Sequence, residues 1–369
     1  MFIFKRNLKT AVNVALLPVS QNLRIFWNFG SLLGLFIVIQ IASGILLATW
    51  FFLGPDAFYL IRSRNTPNQL SRYIHANGAS ILFIFLYCHI GRGIYYISYR
   101  KIHTWRAGTT IFILIIATAF IGYVLPANQI SFWGASVITR LLREIPAYGS
   151  WLINILWGDW RVDIPLYTRF FGLHYILPFI IVILIFIHIL FLHTKGSRRP
   201  LGTHLNPLKK NFFLYFTISD FWLIFTLLLI TIYLNIRDFD VWDHDVFAKS
   251  STLITPVHIQ PEWYFLYAYA ILRAVPRKLG GVIALLLAVL VLYTLPYTII
   301  NKKNRIKAYS PNLSFFWLFI ITILLLTWIG KRPAEEPYIS ISRWFIFIYF
   351  IYFFLNQIII YFLDMLFET

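Results

Sequence analysis

A chain of 369 residues with 59% hydrophobic and only 12% charged side chains, and a mean hydropathy of +0.72, lies far from the roughly 25% charged residues of a soluble domain. That excludes a soluble enzyme and points to an all-α polytopic membrane protein. The net charge of +18 has no soluble basic domain to present it, so it bears on topology and anionic lipid rather than on nucleic acid.

The chain opens with a basic, amphipathic leader, residues 1–24, without a small-residue cleavage site; it is expected to be retained. Apolar stretches near the length of about 20 residues needed to cross a bilayer follow at 27–53, 73–96, 107–125, 170–192, 213–234, 280–300, 313–329 and 344–363, which predicts eight transmembrane helices. The third connection, "SFWGASVITRLLREIPAYG" at 131–149, spaces Trp133, Val137, Ile138, Leu141 and Leu142 as one face of a helix lying in the interface. The longest connection, 237–279, carries "PEWYFLYAYAILRAVP", and long loops tend to be functional. The expected division is residues 1–210, a four-helix bundle with its leader, and 211–369, four further helices with that loop. Cys88 is the single cysteine, which excludes an internal disulfide and a CxxCH haem attachment.

Lys and Arg concentrate on the N-terminus and the even-numbered connections, and most Asp and Glu on the odd ones. By the positive-inside rule both termini face the compartment of synthesis.

His75 and His89 are fourteen residues apart in the second span, and His174 and His188 are fourteen apart in the fourth. Fourteen steps of roughly 100° fall about 40° short of four turns, so each pair leaves one helix face, with a separation of about 21 Å along the axis. Antiparallel packing of the two helices would set His75 opposite His174 and His89 opposite His188. A bare imidazole pair suits several metals. Room for a macrocycle is what selects haem: Gly30 and Gly44 in the first span, and Gly108 and Gly122 in the third, repeat the same interval and remove bulk where another group must approach. Two axial histidines leave no open position, so the chemistry implied is electron transfer. Arg72 and Arg92, each three residues from a histidine, suit either haem propionates or snorkelling to the membrane edge.

The segments "WNFGSLLG", "RYIHANGAS", "HIGRG", "GYVLP", "SFWGASVIT" and "PEWYFLYAYAILR" resemble cytochrome b, the di-haem core subunit of ubiquinol:cytochrome c reductase, respiratory complex III. The resemblance covers the chain in order, and the histidine interval of the fourth span matches the respiratory rather than the photosynthetic form. It implies two non-covalent b-type haems, ubiquinol oxidation at an outer site on the acidic side, and quinone reduction at an inner site. It also implies a Rieske iron-sulfur protein, cytochrome c1 and other complex III subunits as partners, a homodimeric complex, cardiolipin-like lipid, and the mitochondrial inner membrane or a bacterial plasma membrane. Glu262, after Pro261, matches the proton-accepting carboxylate of the outer site, with Tyr123, Gly134, Tyr264 and Tyr269 as pocket positions. The alternative for Glu262 is a helix cap or a pair with Arg273. At the inner site the matching residues are His193, Ser197 and Asp220.

Two departures stand out. Where the family continues "GYVLP" with tryptophan and glycine, this chain has Ala127 and Asn128 before Gln129, which enlarges the space beside the outer haem. Lys195, Arg198 and Arg199 make the inner side more cationic. The competing readings are a smaller di-haem membrane anchor, which needs neither "PEWY" nor four further spans, and a proton-coupled transporter, which expects broken helices at the midplane.

Overall fold

The structure is a computed structural model describing residues 18–20, 25–49, 67–196, 209–211, 217–236, 248–256, 259–297 and 310–366. In chain order the helices are α1 (Phe29–Thr49), α2 (Pro67–Tyr95), α3 (Ile102–Val124), α4 (Gln129–Arg140), α5 (Gly149–Trp157), α6 (Ile164–Lys195), α7 (Ile218–Ile236), α8 (Leu266–Ala274), α9 (Lys278–Leu290), α10 (Ser310–Gly330) and α11 (Tyr338–Leu366). Two three-residue strands, β1 (Pro18–Ser20) and β2 (Lys209–Asn211), pair antiparallel with Val19 opposite Lys210. The fold is otherwise helical among the described residues, because an apolar segment in lipid can satisfy its backbone only within itself.

Among the described residues six helices are long and apolar enough to cross a membrane: 29–49, 70–95, 102–124, 164–194, 313–330 and 338–355. The two remaining expected spans are shorter as helices, 218–233 and 278–293. The sequence places the sixth at 280–300, but the helix starts at Lys278 and tightens after Leu290 into a 3-10 turn, Val291–Tyr293. Pro296, which has no N–H to continue the ladder, follows two residues after Thr294.

The chain forms two compact units, one of residues 1–47, 70–98 and 196–240, the other of 48–69, 99–195 and 241–369. In the first, α1 and α2 pack antiparallel, Gly30 lying against His89 and Gly44 against His75. In the second, α3 and α6 do the same, with Gly108 against His188 and Gly122 against His174. Beside them a core gathers Val124, Ala135, Ile153, Trp157 and Leu166, all buried. Trp157 donates from Nε1 to Thr139 Oγ1 at 2.8 Å, so the largest buried ring also satisfies its polar atom.

The interfacial helix expected at 131–149 is broken: α4 ends at Arg140, a 3-10 turn covers Leu141–Glu144, and α5 begins at Gly149. On α4 the small residues Ser131, Gly134, Ala135, Ser136 and Thr139 are buried together with Ile130 and Phe132. Of the expected apolar face, Val137 is 37% exposed, while Trp133 and Leu142 pack against the core. Small residues let helix backbones approach where the surroundings are as apolar as leucine.

Further along the second unit, α8 meets α9 and α10 at glycines. A Cβ on Gly281 would collide with the Leu272 carbonyl, and one on Gly330 with the Leu266 carbonyl. Phe319 on α10 stacks on Tyr352 of α11 at 4.2 Å. Replacing Gly281 or Gly330 by alanine must therefore push backbones apart and should lower thermal stability by about 1 to 3 kcal/mol. Gly34, with nothing within 4 Å of its Cβ position, should tolerate alanine in the same melting experiment.

Candidate functional site

The four histidines come with their glycines. A Cβ built on Gly44 would lie 3.1 Å from His75 Cε1, on Gly30 3.6 Å from His89 Cε1, and on Gly108 3.0 Å from His188 Cε1; on Gly122 it would enter the His174 ring. Each ring thus rests against bare backbone of the neighbouring helix, which is the space a flat macrocycle edge requires beside its axial ligand. These contacts fit the haem implied by the histidine spacing.

Neighbouring groups assign the ring protons. Ser43 Oγ lies 2.9 Å from His75 Nδ1 and donates its own proton to the Ile39 carbonyl at 2.7 Å. The hydroxyl can then only accept from the ring, which places the His75 proton on Nδ1 and the ring lone pair on Nε2. His174 Nδ1 is 2.9 Å from the Thr118 carbonyl, an acceptor only, with the same result. His89 is different. Arg92 Nη2 stands 3.3 Å from its Nδ1, and a guanidinium can only donate. Ligation through His89 Nε2 therefore requires Arg92 to withdraw from the ring. The same guanidinium lies 5.5 Å over the Trp27 ring. Arg72 sits one turn before His75 on α2.

The expected outer-site residues come together within the second unit. Tyr123, at the end of α3, donates to the Gln260 carbonyl at 3.4 Å, and a Cβ on Gly134 would stand 3.3 Å from its Cε1. Tyr269 on α8 donates to the Ile259 carbonyl at 3.2 Å. Pro261 and Glu262 follow directly, and Tyr264 is buried in the 3-10 turn Trp263–Phe265 that leads into α8. The alternatives weighed for Glu262 do not appear. Its side chain makes no capping bond, and it forms neither of the ion pairs found among the described residues. Arg273 instead donates to the Ile329 carbonyl and covers the Tyr269 ring at 5.3 Å. Burial pushes the Glu262 carboxyl above its ordinary value of 4.5. Burial, then the nearby Glu262 and Tyr123, push the Tyr264 hydroxyl well above 10.0.

At the basic end of the first unit, Asp220 stands in the first turn of α7, beside the Ser31 side chain and with Oδ1 buried and unbonded. Ser31 Oγ donates to the Asn28 carbonyl at 2.8 Å. Sequence reasoning missed this neighbourhood: Asn28 Nδ2 and Trp27 Nε1 are buried donors without a partner. Both lie inside "WNFGSLLG", so the signal was the polar residue in an otherwise apolar motif. His193 is exposed near the end of α6 in the other unit. Ser197, Arg198 and Arg199 lie outside the described residues, as does the Lys195 side chain.

The raised Glu262 value has a sign. The folded protein holds this proton more tightly than the unfolded chain, so stability falls as pH rises from 4.5 toward the raised value, and the loss is absent below 4.5. Glu262→Gln should therefore melt at a higher temperature than the parent at pH about 8, with the difference closing as pH falls below about 4. Melting curves across that range check it.

A model of the family described as cytochrome b/b6/petB matches residues 14–196, and one described as cytochrome b (C-terminal)/b6/petD matches residues 249–350. Among solved structures, the chain is similar to one titled "Hyperthermophilic respiratory Complex III", at 27% identity and a TM-score of 0.88, covering 98% of each chain. Two successive family matches, a fold shared over nearly the whole length, and histidines each seated on a glycine agree: the chain belongs to the cytochrome b family.

Proposed function

We propose that this chain is the quinol-oxidising, electron-transferring core of a respiratory complex III, with eight membrane crossings. Residues 1–210 carry the haem-binding bundle and 211–369 complete the quinol site. The observation that supports this most directly is the seating of all four histidines on glycines, each pair repeating the same fourteen-residue interval. Two non-covalent b-type haems, one held by His75 and His174 and the other by His89 and His188, would supply reversible one-electron transfer.

The chain's own residues perform the rest. In the outer site Tyr123, Gly134, Tyr264 and Tyr269 shape a pocket for the quinol ring, and Glu262, free of a cation and raised by burial, accepts a proton from the quinol hydroxyl. In the inner site Asp220 delivers a proton to a quinone oxygen, Asn28 offers a donor to a carbonyl, and His193 and Ser197 complete the site. The Rieske protein and cytochrome c1 receive the outer electron, the complex is dimeric, and Arg72 and Arg92 neutralise propionates. Both termini face the side of synthesis, where Lys195, Arg198 and Arg199 bind anionic lipid. The membrane is a mitochondrial inner membrane or its bacterial counterpart.

Replacing any one of His75, His89, His174 and His188 by leucine should remove one of two low-spin components from the reduced-minus-oxidised absorption spectrum and leave the other. Retention of both in every variant would overturn the ligand assignment, and a flat spectrum from folded parent protein would favour the transporter. Glu262→Gln should keep both components and slow quinol oxidation by about 10- to 1,000-fold; unchanged turnover across pH would remove its proton role.

A further inference from the structure

The described part of the connection before α8 starts at Ala248 and lies along the N-terminus of α4. Gln129 donates its backbone N–H to the Ala248 carbonyl at 3.0 Å, and Asn128 pairs with Lys249 in an antiparallel bridge. The Gln129 carboxamide then uses both its ends on the same strap. Its Oε1 accepts from the Ser251 N–H at 2.7 Å, and its Nε2 donates to the Ile254 carbonyl at 2.5 Å. Trp133 Nε1 adds a bond to the Ser251 carbonyl at 3.1 Å.

Among the described residues the apolar side chains of the strap's far end bury little: Leu253 is 92% exposed and Ile254 68%. Gln129 is 6% exposed, and a buried carboxamide contributes most where both its donor and its acceptor are bonded. The residues that distinguish this chain from its family serve the same junction. Ala127 takes a left-handed φ of 51°, which turns the chain out of α3. Asn128 then caps α4, its Oδ1 accepting from the Ser131 N–H at 2.8 Å. Five and six residues beyond the second clamp point, the Ile259 and Gln260 carbonyls accept from Tyr269 and Tyr123, immediately before Pro261 and Glu262.

We propose that Gln129 is a positioning residue of the outer quinol site: its carboxamide clamps the 248–254 strap to α4 and so fixes the turn that carries Glu262. This rests on the reading of that turn as the quinol site. A loose strap would let the Ile259–Glu262 turn leave Tyr123 and Tyr269, widening the pocket without removing any group that touches substrate.

The test compares Gln129→Leu, which removes both clamp bonds, with Gln129→Glu, which keeps the acceptor for Ser251 and replaces the donor to Ile254. Both are made in the intact complex, with the two-component haem spectrum as the check of assembly. Gln129→Leu should speed hydrogen exchange at the Ser251 amide by about tenfold or more and raise KM for quinol about tenfold, with kcat changed less. Gln129→Glu should retain most Ser251 protection and fall between. A merely structural loss would lower kcat through fewer assembled complexes and leave KM unchanged. Unchanged exchange, or faster exchange with KM and kcat both at parent values, would overturn the proposal. If Gln129→Leu does not assemble, Gln129→Glu carries the test alone, a KM at the parent value overturning the proposal. A parent complex that oxidises no quinol would end the reading of the site and the proposal with it. That outcome is told apart because the exchange readout still responds to Gln129.

Discussion

The constraint on which the rest depends is the contact of an imidazole with bare backbone on the next helix. It occurs four times, at Gly30, Gly44, Gly108 and Gly122. A methyl group at Gly122 would enter the His174 ring, so helix spacing and ring position are fixed together. In lipid, helices gain nothing by hiding apolar area from water, and close approach at small residues takes over as the force that holds them. The same rule recurs at Gly281 and Gly330, where carbonyls replace imidazoles as the neighbour.

Charge follows a different logic in the two candidate pockets. On the acidic side a carboxyl sits without a cation beside two tyrosines, and Arg273, its nearest sequence-expected partner, is committed to the end of α10 and the Tyr269 ring. Holding the cation away is what keeps the carboxyl protonatable. On the basic side of the first unit the buried groups are donors and one acceptor with unused bonding capacity, at Asn28, Trp27 and Asp220. Unused hydrogen-bonding capacity in a buried place is costly unless a ligand or water completes it.

Much was legible in the sequence because it rests on period and length. The fourteen-residue interval fixes which face a histidine leaves, and runs of apolar residues mark helices whatever their neighbours. The failures lie where local pattern ends. Reading Trp133, Val137, Ile138, Leu141 and Leu142 as one face of a single interfacial helix missed the break after Arg140, where a 3-10 turn takes over. The nine-residue α5 was too short to register as periodic. Gln129 bonds residues more than 120 positions away, and no local pattern reveals such a partner. Glu262 stood out in sequence, but that Arg273 is engaged elsewhere was visible only in three dimensions.

The proton assignments at His75 and His174 set them apart from His89. Ser43 and the Thr118 carbonyl have already chosen the tautomer, with the proton on Nδ1 and the lone pair on Nε2. At His89 the guanidinium of Arg92, which can only donate, faces Nδ1 and favours the opposite tautomer. Two histidines on the one helix α2 are thus unequal: the His75 ring is preset, and the His89 ring changes tautomer only when a neighbouring side chain rotates.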